Sequence, residues 1–481
     1  MSSMAVNVVA ARPQASAPVT RQSLNRASRA KAWVLALTAV ASFMVALDAL
    51  VVSTALSTIR LDFGTTIEAL EWTINAYNLS FAVLLLTGAA LGDRFGRRRI
   101  FVVGLAVFTV ASVACALAPN VRWLIAARAV QGAGGAMVMP LAMALLSAAY
   151  PPAERARALG LFSGLTGLAL LGGPVVGGAI VQSVDWHWIF WLNAPIGLVT
   201  ILLARARIPE SSGPTAALDS LGLLLASASA LAAVWGLSRA NVAGWASLEV
   251  LAAFGTGLVL GIGFVAWQRR TRQPMIPMRL FGSRAFSAAN AACFLFTGAL
   301  YGALFFNAQF LQTAQGYAPL AAGLRLLPWT ATLFIFAPLA GRLVNRLGER
   351  PLIVVGLVMQ AAGLAWLART ATPELGLVEL AVPLVLAGAG VSLAMPAAQN
   401  AVLSAVGPTE IGKASGTYNM VRFLGGAFGI ALSGSIFATS GGFGSPQQFT
   451  AGYASALGAA ALLSFAAALA GLLVPPRAAT L

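Results

Sequence analysis

The chain has 481 residues, 59% of them hydrophobic and only 9% charged, with a mean hydropathy of +0.84. A soluble domain carries roughly a quarter charged residues to cover its surface, so this composition excludes one. The net charge of +16 sits in short connectors between apolar blocks, which argues against a nucleic-acid-binding face. The apolar residues run in long blocks instead of alternating with polar ones, which excludes an outer-membrane barrel. An all-α membrane protein remains. Cys115 and Cys293 lie inside apolar blocks and His187 is the single histidine, so neither a disulfide framework nor a His-based metal cluster is expected.

Residues 1–31 are polar and basic, with Arg12, Arg21, Arg26, Arg29 and Lys31, and read as a disordered cytoplasmic tail. The apolar block that follows is too long for a signal-peptide core and reads as the first span. A bilayer core of about 30 Å takes about 20 helical residues. Blocks of that length fall at 32–55, 70–91, 99–118, 122–145, 156–181, 187–205 and 218–238. Seven more fall at 247–267, 284–310, 320–342, 351–369, 377–401, 413–436 and 453–475. With both termini cytoplasmic, the outside receives only Arg60, Arg122, Arg239 and Arg369, while Arg128, Arg325 and Arg422 fall within spans. Every other basic residue is then cytoplasmic. Adding or dropping one helix would invert all later loops, so the asymmetry favours an even count.

The connector after the second span reads Leu91-Gly92-Asp93-Arg94-Phe95-Gly96-Arg97-Arg98, and the one after the tenth reads Leu343-Val344-Asn345-Arg346-Leu347-Gly348-Glu349-Arg350. Leu, Asp/Asn, Arg, Gly and the final Arg align without a gap. Such a repeat fits a transporter made of two six-helix halves. Because the copy follows the tenth span and not the eighth, two extra helices must lie between the halves. The predicted units are an N-terminal six-helix bundle at 32–205, two additional helices within 206–283, a C-terminal six-helix bundle at 284–476 and a cytoplasmic tail at 477–481. In the first connector, glycines permit a sharp reversal, and Asp93 can pair with Arg97 or Arg98 as a charge lock that holds one conformation of a rocking bundle. An ordinary positive-inside loop is the plainer reading of the arginines alone.

On this connector and its repeat, the chain resembles the major facilitator superfamily, in its fourteen-helix drug:proton antiporter branch. The resemblance implies the major facilitator fold, two six-helix bundles plus two central helices. It assigns the charge lock to Asp93, Arg94, Gly96, Arg97 and Arg98. Ala89 departs from the family pattern, where a glycine usually opens the motif. In the first span Asp48 is the sole carboxylate read as lying well inside any span. Burial favours its protonated form and a nearby cation its charged one, so it can exchange a proton. The family has an aspartate here, which implies proton or substrate coupling, although Leu50 replaces its usual threonine. Arg128, with Gln131 and two glycines in the fourth span, resembles a family motif that implies proton coupling; otherwise Arg128 snorkels to the interface. Gly173, Pro174, Gly177 and Gly178 in the fifth span resemble the motif that separates exporters from uptake carriers, with Ala169 in place of an upstream glycine. Plain helix packing is the alternative.

Near the sixth span, aromatic residues around His187 suit an interfacial belt. Arg422, Asn419 and Gln131 are candidate cavity residues, and Arg325 lies near an interface. Phe305, Phe306, Met137 and Met139 could line an adaptable cavity, though most such residues face lipid. No Gly-x-x-x-x-Gly-Lys-[Ser/Thr] motif appears, so ATP is not expected to drive the cycle. The expected function is proton-coupled export of small amphipathic compounds by a monomer in a bacterial inner membrane. Protons would be the coupling ion, and no other cofactor, nucleic acid or catalytic centre is expected. A dedicated exporter of one metabolite is the alternative. A non-transporting sensor of the same fold would be expected to lose Asp48 and the Asp93 connector. One carboxylate against up to three intramembrane arginines further predicts weak export of dications.

Overall fold

A computed structural model describes residues 21–213, 218–407 and 410–476. It contains helices throughout and, among the described residues, no strand. The first bundle comprises α1 (Arg21–Phe63), α2 (Ile67–Phe95), α3 (Arg97–Ala116), α4 (Val121–Ala149), α5 (Pro152–Ser183), α6 (Trp188–Trp191) and α7 (Asn193–Arg207). The inserted pair is α8 (Ser220–Ala243) and α9 (Leu248–Arg270). The second bundle comprises α10 (Arg284–Gln309), α11 (Pro319–Arg325), α12 (Leu327–Leu347), α13 (Glu349–Thr370), α14 (Leu377–Ser404), α15 (Ile411–Ser440) and α16 (Pro446–Leu472). Together they supply 14 helical segments long and apolar enough to cross a membrane. All fourteen blocks marked from the sequence are among them.

The local chemistry explains the breaks. Thr66, Asn120, Asp219, Ser247, Ser283 and Ser445 each accept a backbone N–H at the start of α2, α4, α8, α9, α10 and α16. The sixth span breaks between α6 and α7 beside Pro195, and the tenth between α11 and α12 beside Pro328. The two repeated connectors turn at single glycines in the left-handed region, Gly96 at φ +105° and Gly348 at φ +79°. α1 starts at Arg21, so residues 21–31 are helical and not tail. No glycine or proline separates them from the apolar block, and Lys31 is tied to Glu154 at 2.8 Å. The remainder of the expected N-terminal tail and the stretch 477–481 lie outside the described residues.

The repeat is written into the packing. In the first bundle α1 packs on α5 and α7, α2 on α4, and α3 on α4 and α7. In the second, α10 packs on α15 and α16, α12 on α14, and α13 on α14 and α16. Each pair thus recurs eight spans later, as expected for parallel repeats separated by two helices. The bundles meet along two related seams, α2 against α15 and α5 against α11. α8 packs on both α2 and α15 and so covers the first seam; Trp72 and Trp235 lie 5.8 Å apart there.

Asp219 fastens the inserted pair. It caps Gly222 N (2.8 Å) and accepts from Trp267 Nε1 (2.7 Å), Gln268 Nε2 and Met275 N. Burial pushes the Asp219 carboxyl upward, but these donors outweigh it and hold it below its ordinary value. A lowered folded value adds stability above the unfolded value, which fades as pH falls through the folded one. The gap in unfolding midpoint between the native chain and Asp219→Asn is therefore widest near neutrality and closes as pH drops below about 4; thermal unfolding in detergent across that range measures it.

Candidate functional site

Midway along α1, Asp48 is buried against α4 and the start of α7. Arg128 Nη1 donates to Asp48 Oδ2 in an ion pair whose side chains are 0% and 1% exposed, respectively. Gln131 Nε2 and Asn193 Nδ2 both donate to Asp48 Oδ1 at 2.8 Å. Ser112 Oγ accepts from the same two amides at 2.6 and 3.1 Å, and Gln131 Oε1 accepts from Arg128 Nη1 at 2.7 Å. Arg128 Nε reaches the Thr73 carbonyl at 3.2 Å, and its guanidinium lies 4.3 Å from the centre of the Tyr77 ring. Four helices therefore converge on one carboxylate. The alternative in which Arg128 snorkels to an interface is ruled out, because its side chain is fully enclosed.

The spacing explains why these groups meet. Arg128 and Gln131 are three residues apart and share one face of α4. Asn193 opens α7 just after the α6 break, so its side chain enters where the helix ladder is interrupted. Asn193, Ser112 and Tyr77 were not singled out from the sequence. The signal available was a polar residue inside an apolar block, too common to pick them without their neighbours. Gln131 belongs to this network and does not face a cavity. Asn419 donates back to the Ser415 carbonyl at 3.0 Å, and Arg422 sits 5.0 Å from the Phe423 ring, well away from Asp48 along the chain. Phe306 packs in an aromatic cluster, 4.9 Å from both Phe305 and Phe437. Met137 fills space beside Gly88 and Gly104. Arg325 stacks 3.6 Å from Tyr317 at the α11–α12 break.

Glu71 corrects the carboxylate count. It lies one turn inside α2 and is 2% exposed, so Asp48 is not the sole buried acid of the spans. The expectation about dications rested on that count and no longer has its support. Glu71 is the second residue of the apolar block 70–91, a position that reads as its edge; α2 begins four residues earlier, at Ile67, and places Glu71 inside the helix.

At the Asp93 end, Arg97 Nε donates to Asp93 Oδ1 at 2.7 Å. The arriving segment after α7 closes over this turn. Arg97 N donates to Ser211 O (2.8 Å), Gly213 N to Asp93 O (3.2 Å), and Arg98 N to Glu210 Oε1 (2.9 Å). Glu210 also faces the Arg98 and Arg99 guanidinium groups at 3.6 and 3.7 Å. Arg94 is exposed and pairs with no acid among the described residues. The lock thus joins the first bundle to its own linker, and no ion pair from it reaches the second bundle among the described residues. The close approach of α2 to α4 falls on Gly88, whose added Cβ would lie 2.7 Å from Ala136 O, and on Gly92, so Ala89 is off that contact.

At the opposite end the fifth-span motif divides its work. A Cβ on Gly173 would meet Leu50 of α1 at 2.7 Å, and one on Gly177 would meet Thr54 Oγ1 at 2.4 Å. Gly178 lies against the Pro319 carbonyl, where a Cβ would sit at 2.4 Å, and a Cβ on Gly323 would lie 2.3 Å from Pro174 O. The seam between bundles is closed here by backbone on backbone. Gln182 accepts from Leu320 N (3.2 Å), Gln312 donates to Thr54 O (2.9 Å), and Arg60 stacks 3.9 Å from Phe443. Towards the Asp93 end of α5, Gly160, Gly164 and Gly167 have open space where a Cβ would lie. In the connector outside the spans, burial pushes Asp185 upward, but the His187 backbone and ring donate to it and hold its carboxyl below the usual range. His187 stacks on Trp186 at 3.7 Å.

Two outcomes follow from this geometry. Arg128→Ala strands Asp48 without its counter-charge, a loss of about 3–5 kcal/mol for a buried pair; the unfolding midpoint falls, and adding Asp48→Asn recovers part of it. Gly178→Val forces α5 from α11, so disulfide yield between Gln182→Cys and Leu320→Cys drops severalfold on oxidation, read by gel shift.

The model of the Major Facilitator Superfamily matches residues 38–430 and, in a second alignment, 289–480. The multidrug resistance protein Stp of Mycobacterium tuberculosis is 35% identical over 413 residues, covering 85% of this chain and 76% of that one. The tetracenomycin C resistance and export protein of Streptomyces glaucescens is 32% identical, covering 88% and 79%. The methylenomycin A resistance protein of Bacillus subtilis is 33% identical, covering 85% and 88%. Among solved structures, an auto-inhibited peptide transporter of the POT family superposes with a TM-score of 0.68 at 15% identity, covering 94% of this chain and 98% of that one. A D-xylose–proton symporter superposes with a TM-score of 0.65 at 16% identity, covering 92% and 98%. With the family model spanning nearly the whole chain and relatives above 30% identity along most of it, this multi-pass bacterial membrane protein belongs to the major facilitator superfamily.

Proposed function

We propose that this chain is a proton-coupled antiporter that exports small amphipathic compounds, antibiotics among them, by alternating access. The observation that carries the reading is the enclosed Asp48–Arg128 pair at mid-span. A buried ion pair is poor value as a source of stability, and ionisable groups at membrane depth usually serve a pathway. The names of the relatives, which speak of multidrug resistance and antibiotic export, favour export over uptake. The crowding of basic residues at the Asp93 end supports placing that end, and both termini, in the cytoplasm.

In this orientation the outer halves of the bundles are closed on each other through Gly178 and Gly323. Ionised Asp48 holds Arg128, Gln131 and Asn193 around itself. Protonation from the outside removes the charge that Arg128 balances, and frees the guanidinium to lean on the Thr73 carbonyl and the Tyr77 ring. Loss of the proton to the cytoplasm restores the pair. Substrate moves the opposite way as α5 and α11 part and close again. The Asp93 turn, clamped by Glu210 and Ser211, keeps the first bundle and its linker moving as one body.

Everted vesicles carrying the native chain or Asp48→Asn test this. A proton gradient is set up and a pH dye followed as compounds are added. Dequenching with the native chain that vanishes in the variant is expected. Dequenching that survives in the variant removes Asp48 from the proton path. No response to any compound from verified, inserted protein turns the reading towards a non-transporting sensor of the same fold.

A further inference from the structure

We propose that Glu71 is a second proton-binding group, separate from Asp48, that latches the outer end of the α2–α15 seam. Glu71 is 2% exposed and projects from α2 into the notch left by Gly434 on α15, where a Cβ would lie 1.6 Å from its carboxylate oxygen. The Ser238 hydroxyl faces it from α8. One first-bundle helix, one second-bundle helix and one inserted helix therefore close around a single carboxyl group.

The charged groups on the elements packed on α2 leave it without a counter-ion. On α1, Arg60 stacks on Phe443 and Asp62 accepts from Trp186 Nε1, and Arg122 at the start of α4 is exposed. On α2, Glu68 one turn away carries the same sign as an ionised Glu71. On α8, Arg239 faces Glu68 at 3.6 Å and binds Glu249 of α9 at 2.9 Å. On α4, Arg128 is committed to Asp48 and Thr73 O. On α15, the stretch from Phe423 to Ser440 holds no charged residue, and Arg422 lies on the order of 18 Å down the helix from Gly434. Among the described residues no cation pairs with Glu71. An ionised carboxylate so enclosed and unpaired loses its hydration with nothing to replace it, so the closed seam holds the acid with its proton. The same face of α2 continues through Asn75 and Asn78, buried and with amide atoms that find no partner. Unsatisfied amides weigh against the closed seam. Water reaches this stripe when the seam opens.

When α2 leaves α15, Glu71 is hydrated and gives its proton to the outer solution; it must take one back from the same side before the seam can close. No proton crosses the membrane by this route. Outer acidity instead biases the equilibrium towards the closed outer end. The role in the cycle rests on the antiporter reading above, but occupancy of Glu71 can be measured without transport.

The test uses the purified full-length chain in lipid nanodiscs, as native, Glu71→Gln and Asp48→Asn forms. The native infrared spectrum near neutral pH should show the C=O stretch of a neutral carboxylic acid in an apolar site. That band should be lost in Glu71→Gln and kept in Asp48→Asn. Spin labels on Gln182→Cys and Leu320→Cys should report a closed population that grows as pH falls, and Glu71→Gln should be closed at every pH. Identical native and Glu71→Gln spectra overturn the proposal, and so does an unchanged pH dependence of the label distance in Glu71→Gln. If the vesicle assay fails while band and distance behave as stated, the antiporter reading falls and the proton latch stands.

Discussion

The middle of a bilayer has no water to stabilise a charge, so Arg128 must be matched by something the chain itself supplies. Asp48 does this, and the helices are arranged around the need. α4 presents Arg128 and Gln131 from one face, α3 supplies Ser112, and the break before α7 admits Asn193. Both carboxylate oxygens, which would otherwise be stranded in a low-dielectric interior, receive donors from Arg128, Gln131 and Asn193. The network is polar, enclosed and midway along α1.

A second constraint is the close approach of backbones. Helices in lipid gain little from burying apolar side chains against one another, and rely on tight packing instead. Glycine supplies that at Gly178 and Gly323, where α5 and α11 touch main chain to main chain. Gln182 adds a side-chain contact to Leu320 N across the same joint. The α2–α15 seam is different. It is covered by α8 and carries Asn75 and Asn78, whose buried amide atoms find no partner among the described residues. One seam is backbone against backbone and the other carries buried polar side chains.

The inserted helices gain meaning from this asymmetry. A chain of two six-helix halves would expose both seams equally to lipid. Here α8 covers one of them, and the segment that leads into it also grips the Asp93 turn through Glu210, Ser211 and Gly213. The insertion is thus fixed at both ends of the first bundle and fastened to α9 by Asp219. It stands at the joint between the halves.

The sequence by itself determined the class, the fourteen spans, the repeat and the offset of eight spans, because apolar length and glycine-turn chemistry are local properties. It also marked Asp48, Arg128 and the fifth-span glycines, since a charge or a glycine cluster stands out against an apolar background. Only the tertiary structure decided which groups share a site. Asn193, Ser112 and Tyr77 are unremarkable in their own segments and matter through neighbours on other helices. Glu71 does not stand out at the edge of its block, because its burial comes from α15 and α8, far off in the chain. The Asp93 lock closes on the linker and not on the second bundle for the same reason. Pairing of charges is a matter of distance across helices, and a sequence carries that distance only once the helices have packed.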